Sequence, residues 1–471
     1  MSDTSHSINQ TIRRVCFFFS FDLLLFSVLA ALYTGEDAAS VWHNWCMLQI
    51  SPCPLVTDYF RTGSLAAAFL NAGLCGLCIA CICLLHWAYY RPYVWAGFFL
   101  VIAHGFYGLN LVNMWPPMLG FLLYCRVFHL RFRDHLDRVM FITSFGPFFS
   151  ELLFRYPLTV NIPLRIGDVE INLFGVLLCA ILAVFVGFAL PALLNGTQKL
   201  HRGFNLYNGG LATGLLGLFL YAFMYNTMGV TPPTAEVVSN PVYEAHGCSY
   251  QLFCSLFFVT VFTMSLIYGW FINGKSFRGY GKLLQDSGYQ TNFIYKYGIG
   301  LTWINLGVYG LMITGWFNLV ICLTDGAGFT GATCGVILAA MTFSASGQHP
   351  RNVWPILLGY VTLSLLVTGL CALGGREPSW TLSTQGYLNG LAFATGLCPF
   401  VGVYNRRAGV IAGFMSAVMC TTTSVMHGGF VLYNGGLTAG IAALLLLPLL
   451  DLYQSHIEAY GRKEEQQENK S

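Results

Sequence analysis

The polar side chains that recur at matched places in this sequence are asparagine, threonine and histidine. Residues 201–215 read HRGFNLYNGGLATGL, residues 427–441 read HGGFVLYNGGLTAGI, and ten of the fifteen positions are identical. Asn208 and Asn434 each stand before a Gly-Gly pair that begins at Gly209 and Gly435. An asparagine amide offers donors and an acceptor without a charge, and paired glycines let the backbone kink or meet another chain closely. That combination suits a polar lining at a helix break. It equally suits a helix N-cap beside a close-packed glycine seam. Tyr207 and Tyr433, just ahead, read as packing or interfacial residues.

Two further pairs occur in the same order. Residues 108–121 read GLNLVNMWPPMLGF and residues 347–360 read GQHPRNVWPILLGY, which sets Asn113 and Asn352 three residues before Pro116 and Pro355. Residues 141–148 read FITSFGPF and residues 393–400 read FATGLCPF, which sets Thr143 and Thr395 four residues before Pro147 and Pro399. A proline denies the carbonyl four residues earlier its helical partner. That carbonyl and the threonine hydroxyl are then candidates to face a solute, unless the hydroxyl bonds locally across the kink. His201 and His427 are candidates for gating or proton relay, with an interfacial capping role as the plainer alternative. Glu151 and Asp22 are the carboxylates well inside apolar runs, and such groups are functional candidates by default. Glu151 has Arg155 one turn on as its natural partner. The expected solute-binding set is therefore Asn208, Gly209, Asn434, Gly435, Thr143, Thr395, Asn113 and Asn352, with His201, His427 and Glu151 for gating or proton transfer.

Other patterns point away from catalysis. Cys75, Cys78, Cys81 and Cys83 lie in an apolar run without a neighbouring histidine or carboxylate, so they read as small packing residues and not as a metal site. Cys46 and Cys53 share a loop in which a bridge is conceivable. The D-x-x-D of Arg131 to Arg138, RFRDHLDR, reads as a basic anchor with balancing acids. The chain contains no P-loop, no G-x-S-x-G and no H-E-x-x-H. The expectation is a protein that is not an enzyme and holds no cofactor and no metal.

The elements that must position these residues are membrane spans. The chain has 471 residues, 56% hydrophobic and only 9% charged, against about a quarter charged in soluble domains. This excludes a disordered chain, a nucleic-acid binder and an ordinary soluble enzyme. At about 20 residues per span, the apolar runs are 16–35, 64–87, 93–110, 113–130, 138–154, 169–194 and 205–226, then 250–272, 299–323, 327–345, 352–372, 385–400, 407–426 and 430–450. The runs at 113–130, 138–154 and 385–400 are short or broken by Pro and Gly, as half-spans or re-entrant segments would be. Positive loop charges place Arg13, Arg14, Arg91, Arg126, Arg131, Arg133, Arg138, Lys199, Arg202, Lys275, Arg278, Lys282, Arg406 and Arg407 inside. The loop with Glu36, Asp37 and Asp58 falls outside, as does the one with Glu236 and Glu244.

The three paired motifs make the chain a duplication. Residues 1–229 form a first membrane repeat and 230–249 an external linker. Residues 250–451 form a second repeat, and 452–471 a cytoplasmic polar tail. The first copy carries an extra stretch at about 149–170. Seven spans per repeat is odd, so the second copy is expected to be inverted, with both termini cytoplasmic. The fold class is an all-α polytopic membrane protein of two inverted repeats of about seven segments each, some broken or re-entrant. In such proteins, sites lie near the midplane at interrupted helices in matching positions.

The motifs N-x-W-P-x-x-L-G and F-x-L-Y-N-G-G-L resemble those of an uncharacterised family of bacterial multi-spanning membrane proteins, a domain of unknown function. The resemblance covers nearly the whole chain and implies class, not activity. The paired Thr143-to-Phe148 and Thr395-to-Phe400 elements are more distantly similar to the Thr-x-Pro-Phe pore elements of urea transporters, also inverted duplications. The Thr-to-Pro spacing is longer here and the repeats are larger.

The expected function is a permease of the plasma membrane, a secondary transporter or channel-like protein, for a small neutral or zwitterionic solute. Its partners would be that solute, the bilayer and other copies of itself in a homo-oligomer, but no nucleic acid. The alternatives are an intramembrane enzyme such as a lipid-linked transferase, a urea-transporter-like channel, and a membrane scaffold or sensor.

Overall fold

The computed structural model describes the backbone of residues 3–53, 57–85, 92–158, 160–166, 169–233 and 241–468. Arg91 and Glu236, both used above to orient loops, lie outside the described residues, as does the side chain of Glu244. The chain is helical almost throughout. Eight main helices in the first half are α1 (Asp3–Thr34), α2 (Leu65–Leu85), α3 (Pro92–His104), α4 (Trp115–Val127), α5 (Leu136–Ile142), α6 (Gly146–Phe154), α7 (Leu173–Leu200) and α8 (Asn208–Tyr221). The second half repeats them as α9 (Pro241–Ile272), α10 (Ile299–Leu323), α11 (Gly331–Ala340), α12 (Pro350–Leu373), α13 (Gln385–Ala394), α14 (Cys398–Val403), α15 (Arg406–Met426) and α16 (Asn434–Glu468). A small antiparallel hairpin, β1 (Pro163–Ile166) and β2 (Val169–Asn172), falls in the extra stretch of the first half.

Packing repeats with the sequence. α1 lies along α2 as α9 lies along α10, and α4 lies along α7 as α12 lies along α15. Glycines permit the second pair of crossings. A side chain on Gly187 would meet the backbone of Gly120, and one on Gly413 the backbone of Ile356. α3 packs on α11 and α8 on α16, each helix against its own counterpart. The contacts between halves are reciprocal. Leu206 donates its N–H to the Gly396 carbonyl at 3.0 Å, and Leu432 to the Ser144 carbonyl at 3.0 Å. A Cβ on Gly210 would sit 2.5 Å from Gly436 Cα, and one on Gly436 would sit 2.8 Å from Gly210 Cα. Contacts that exchange i with j in this way define a two-fold axis, and the Gly210–Gly436 crossing lies on it.

Among the described residues ten helices are long and apolar enough to cross a membrane, and large apolar side chains such as Phe21, Leu32, Ile181, Leu256 and Leu365 are exposed along them. The protein is a multi-pass membrane protein. Of the fourteen apolar runs, ten hold these helices, and two of the other four, 113–130 and 138–154, are among those expected to be short or broken. The runs at 93–110, 113–130, 138–154 and 327–345 hold helices too short to cross alone, with α3 and α4 of 13 residues each and α11 of 10. Their apolar residues continue through buried turns. The chain reverses at Gly108 (φ 131°) and Gly347 (φ 142°), and backbone buried at such depth must find partners inside the protein. Asn113 and Asn352 supply them, donating to the carbonyls of Gly108 and Gly347 at 2.9 and 2.8 Å and accepting from the N–H of Asn110 and His349. From the neighbouring long helices, Asn71 donates to the carbonyls of Gly105 and Leu109, and Asn305 to those of Ser344 and Gln348.

Candidate functional site

A cleft of about 690 Å³ opens beside the end of α7 and runs inward to Gly209 and Tyr433, next to the two-fold crossing. Its polar walls are mostly amides: Asn195, Gln198, Asn205, Asn208, Gln290 and Asn292. Asp137 and Arg138 add one charge of each sign. Phe141, Phe343 and Tyr433 line its aromatic part. Both halves contribute, because the loop that leads into α8 rests on the broken element of the other half.

Asn208 is placed by the sequence that surrounds it. His201 ends α7, and its Nδ1 accepts the N–H groups of Gly203 and Asn205 at 3.2 and 3.3 Å. The ring proton therefore lies on Nε2, which donates to Asn208 Oδ1 at 2.8 Å. Thr197 Oγ1 donates to the same oxygen at 2.7 Å, and Asn208 Nδ2 donates to the Leu194 carbonyl at 2.9 Å. One amide N–H of Asn208 remains for a ligand. The arrangement recurs at His427, whose Nε2 meets Asn434 Oδ1 at 2.9 Å. There the pair is sealed. Both histidines are fully buried, and the difference lies in the amides: Asn434 is only 6% exposed, while Asn208 is partly open to the cleft.

The expected residues thus divide. Asn208, Gly209 and His201 line the cleft. Asn434 and Gly435 form the buried counterpart, with Gly435 against the Phe393 ring. Asn113 and Asn352 are the turn braces described above and do not line the cleft. Thr143 and Thr395 are fully buried, and their hydroxyls donate to the carbonyls of Met140 and Ala392 at 2.7 and 2.6 Å. The carbonyls that the prolines free are taken by the N–H groups of Gly146 and Cys398. The solute-facing role expected of these threonines is corrected to local bonding across the kink. Glu151 is buried against Arg155 at 2.6 Å and accepts from the Tyr225 hydroxyl at 2.7 Å. It holds the end of α6 and does not line the cleft. Asp22 lies on α1, away from it.

Cys46 and Cys53 are both free thiols, so the bridge between them does not form. Cys75 and Cys83 are buried while Cys81 on the same helix is exposed. Among the described residues no group of histidine, cysteine and carboxylate side chains could hold a metal.

Several site residues were not singled out from the sequence. Asp137 and Arg138 read only as anchors, and Tyr433 as packing. Gln290 and Asn292 stand in the loop between α9 and α10 with no motif. Asn71 and Asn305 carried a usable signal, an amide inside an apolar span at the matching place in each half.

An all-helical, multi-pass membrane protein made of two related halves, with a polar cleft between them, is the class that this architecture defines. Within that class, the chain belongs to the family described as protein of unknown function DUF1576, whose model matches residues 38–226 and 272–452 in two parts. No curated protein and no solved structure matches it.

Proposed function

We propose that the protein is a permease of the plasma membrane, with both termini cytoplasmic and two inverted repeats. It moves a small neutral or zwitterionic solute and is not an enzyme. The observation that carries this reading is the cleft of about 690 Å³ that ends at the two-fold crossing on one side while its counterpart is sealed. A pseudo-symmetric pair of gates, one open and one shut, is what alternating access requires. The sealed side has identifiable parts. Phe430 stacks between Phe148 at 5.1 Å and Tyr225 at 5.6 Å, and the Tyr221 ring lies against Gly428. Arg138 lines the open side, and Lys199 and Arg202 are chain neighbours of its lining residues Gln198, His201 and Gly203, which supports a cytoplasmic placement.

The lining suits the cargo. Amides offer hydrogen bonds in both senses without a net charge, and one Asp–Arg pair can meet the two ends of a zwitterion. A lone cation would call for carboxylates or rings of carbonyls. Purified protein in proteoliposomes tests the reading, with uptake of labelled neutral and zwitterionic solutes followed without ATP. Asn208→Ala and Asn434→Ala are expected to lower the initial rate about tenfold, the scale of one lost hydrogen bond that matters, while the folded fraction is kept. Normal uptake by both variants would reduce the Asn-Gly-Gly elements to packing devices.

A further inference from the structure

Behind the cleft wall, the two halves repeat one backbone but arm it differently. In the second half, the N–H groups of Ser346 and Gln348 return to the Phe343 carbonyl at 2.9 and 3.0 Å; in the first, those of Tyr107 and Leu109 return to the His104 carbonyl at 2.9 and 3.0 Å. Asn305 and Asn71 hold the two turns alike. His104 therefore stands where Phe343 stands, and Leu109 where Gln348 stands. The ring contacts agree, with Phe343 at 4.9 Å from Tyr207 and His104 at 6.2 Å from Tyr433.

The second half satisfies the phenol that packs on it, Tyr207 of the first half. Tyr207 Oη donates to the Ala339 carbonyl at 2.8 Å and accepts from Gln348 Nε2 at 3.2 Å. In the first half Leu109 has no amide to give. Tyr433 Oη, Tyr107 Oη and both ring nitrogens of His104 are buried without a protein partner. The imidazole lies edge-on to both phenols, at 5.5 Å from Tyr107 and 6.2 Å from Tyr433. Tyr433 is itself a wall of the cleft.

Leaving a buried polar group unpaired is destabilising. Here three neighbouring side chains are left so around the first half's turn, at the inner end of a cleft, whereas around the second half's turn Tyr207 is bonded and the Tyr309 phenol lacks a partner among the described residues. The sister half shows that the same scaffold accepts Phe and Gln, which would remove the fault.

We infer that His104, Tyr107 and Tyr433 form an inner binding subsite, reached past Tyr433 from the cleft, for a small uncharged solute that carries both hydrogen-bond donors and acceptors. A neutral imidazole supplies one donor and one acceptor, and each phenol supplies both. The set has no fixed charge to balance an ion. A urea-sized amide or a short polyol fits this chemistry. The inference rests on the permease reading and adds to it the class of cargo and the second station on its path.

Flux of urea, acetamide and glycerol into proteoliposomes, followed by light scattering, tests it together with thermal stability in detergent. The variants are His104→Phe and Tyr433→Phe, which remove unpaired groups, and Leu109→Gln, which brings to Tyr433 the amide that serves Tyr207. Each is expected to lower the flux of at least one probe about tenfold while stability stays equal or rises. Wild-type flux in all three variants, with raised stability, would mean that the cluster holds structural water only; the inner subsite would fall and the cleft reading would stand. Absence of flux for every probe in the wild-type protein would overturn the permease reading and the subsite with it.

Discussion

Asn208 carries its hydrogen bonds backward, to Thr197, His201 and the Leu194 carbonyl, and so ties the end of α7 to the start of α8. The same side chain is then both a brace and a ligand group, which is how a site gains precision from its supporting shell. A second buried polar centre braces the loop between α9 and α10. The Asp286 carboxylate accepts from Lys296 Nζ at 2.7 Å, Tyr297 Oη at 2.7 Å and the Gly288 N–H at 2.9 Å, and the Asp286 carbonyl meets His349 Nε2 at 2.9 Å. Burial alone would raise the pKa of this carboxyl, but the bonds from Lys296, the Gly288 N–H and Tyr297 together hold it below the ordinary range. A carboxyl whose folded pKa is lowered stabilises the fold above its unfolded value and loses that contribution as pH falls through the folded one. The melting temperature of the wild-type protein is therefore expected to fall as the pH drops below about 4, the unfolded carboxyl's value, and on through the lowered folded one. Asp286→Asn should melt lower at neutral pH and lose less on acidification. Parallel curves for the two proteins would show that the carboxylate does not control this transition.

At the scale of elements, the halves are held together where α8 crosses α16 with no side chain between them. Gly210→Ala places a methyl against Gly436 Cα, where the facing atom is backbone and cannot rotate away. Overpacking of this kind costs about 1–3 kcal/mol, to be read as a lowered detergent-denaturation midpoint. Gly315→Ala in α10 meets open space and should instead gain up to about 1 kcal/mol from helix propensity. Equal effects at the two sites would mean that the crossing does not govern stability. The glycine seam, the duplication and the long helices were legible in the sequence because identity and hydropathy register them directly. The breaks within 113–130, 138–154 and 385–400 were legible from their Pro and Gly, but the short helices α3 and α11 were not. Leu109, Leu111 and Phe106 are as apolar in a buried turn as they would be in a span, and hydropathy has no information on chain direction. Nor was the inner polar cluster legible: His104 and Leu109 become informative only once the fold aligns them with Phe343 and Gln348.

For the whole molecule, the question of function reduces to how the two-fold axis lies in the bilayer. The reciprocal contacts through Leu206 and Gly396, and through Leu432 and Ser144, require the axis but leave its direction to be fixed by charge. An axis in the membrane plane exchanges inside with outside, so the open cleft at His201 and the sealed pair at His427 become the two ends of one path. An axis along the membrane normal would set both histidines at the same face, and the molecule would then have two similar pockets and no route between sides. Positively charged Lys199 and Arg202 flank the first histidine, while Val425 and Met426 precede the second, a bias that favours the in-plane axis. Gln198 and Ser424 are equivalent positions three residues before each histidine. Single cysteines at these two sites, in a background without the native exposed thiols, are expected to react with a membrane-impermeant maleimide from opposite faces: Gln198→Cys from the cytoplasmic side and Ser424→Cys from outside. Labelling of both from one face would remove the inverted arrangement, and with it the exchange of gates on which the proposed transport depends.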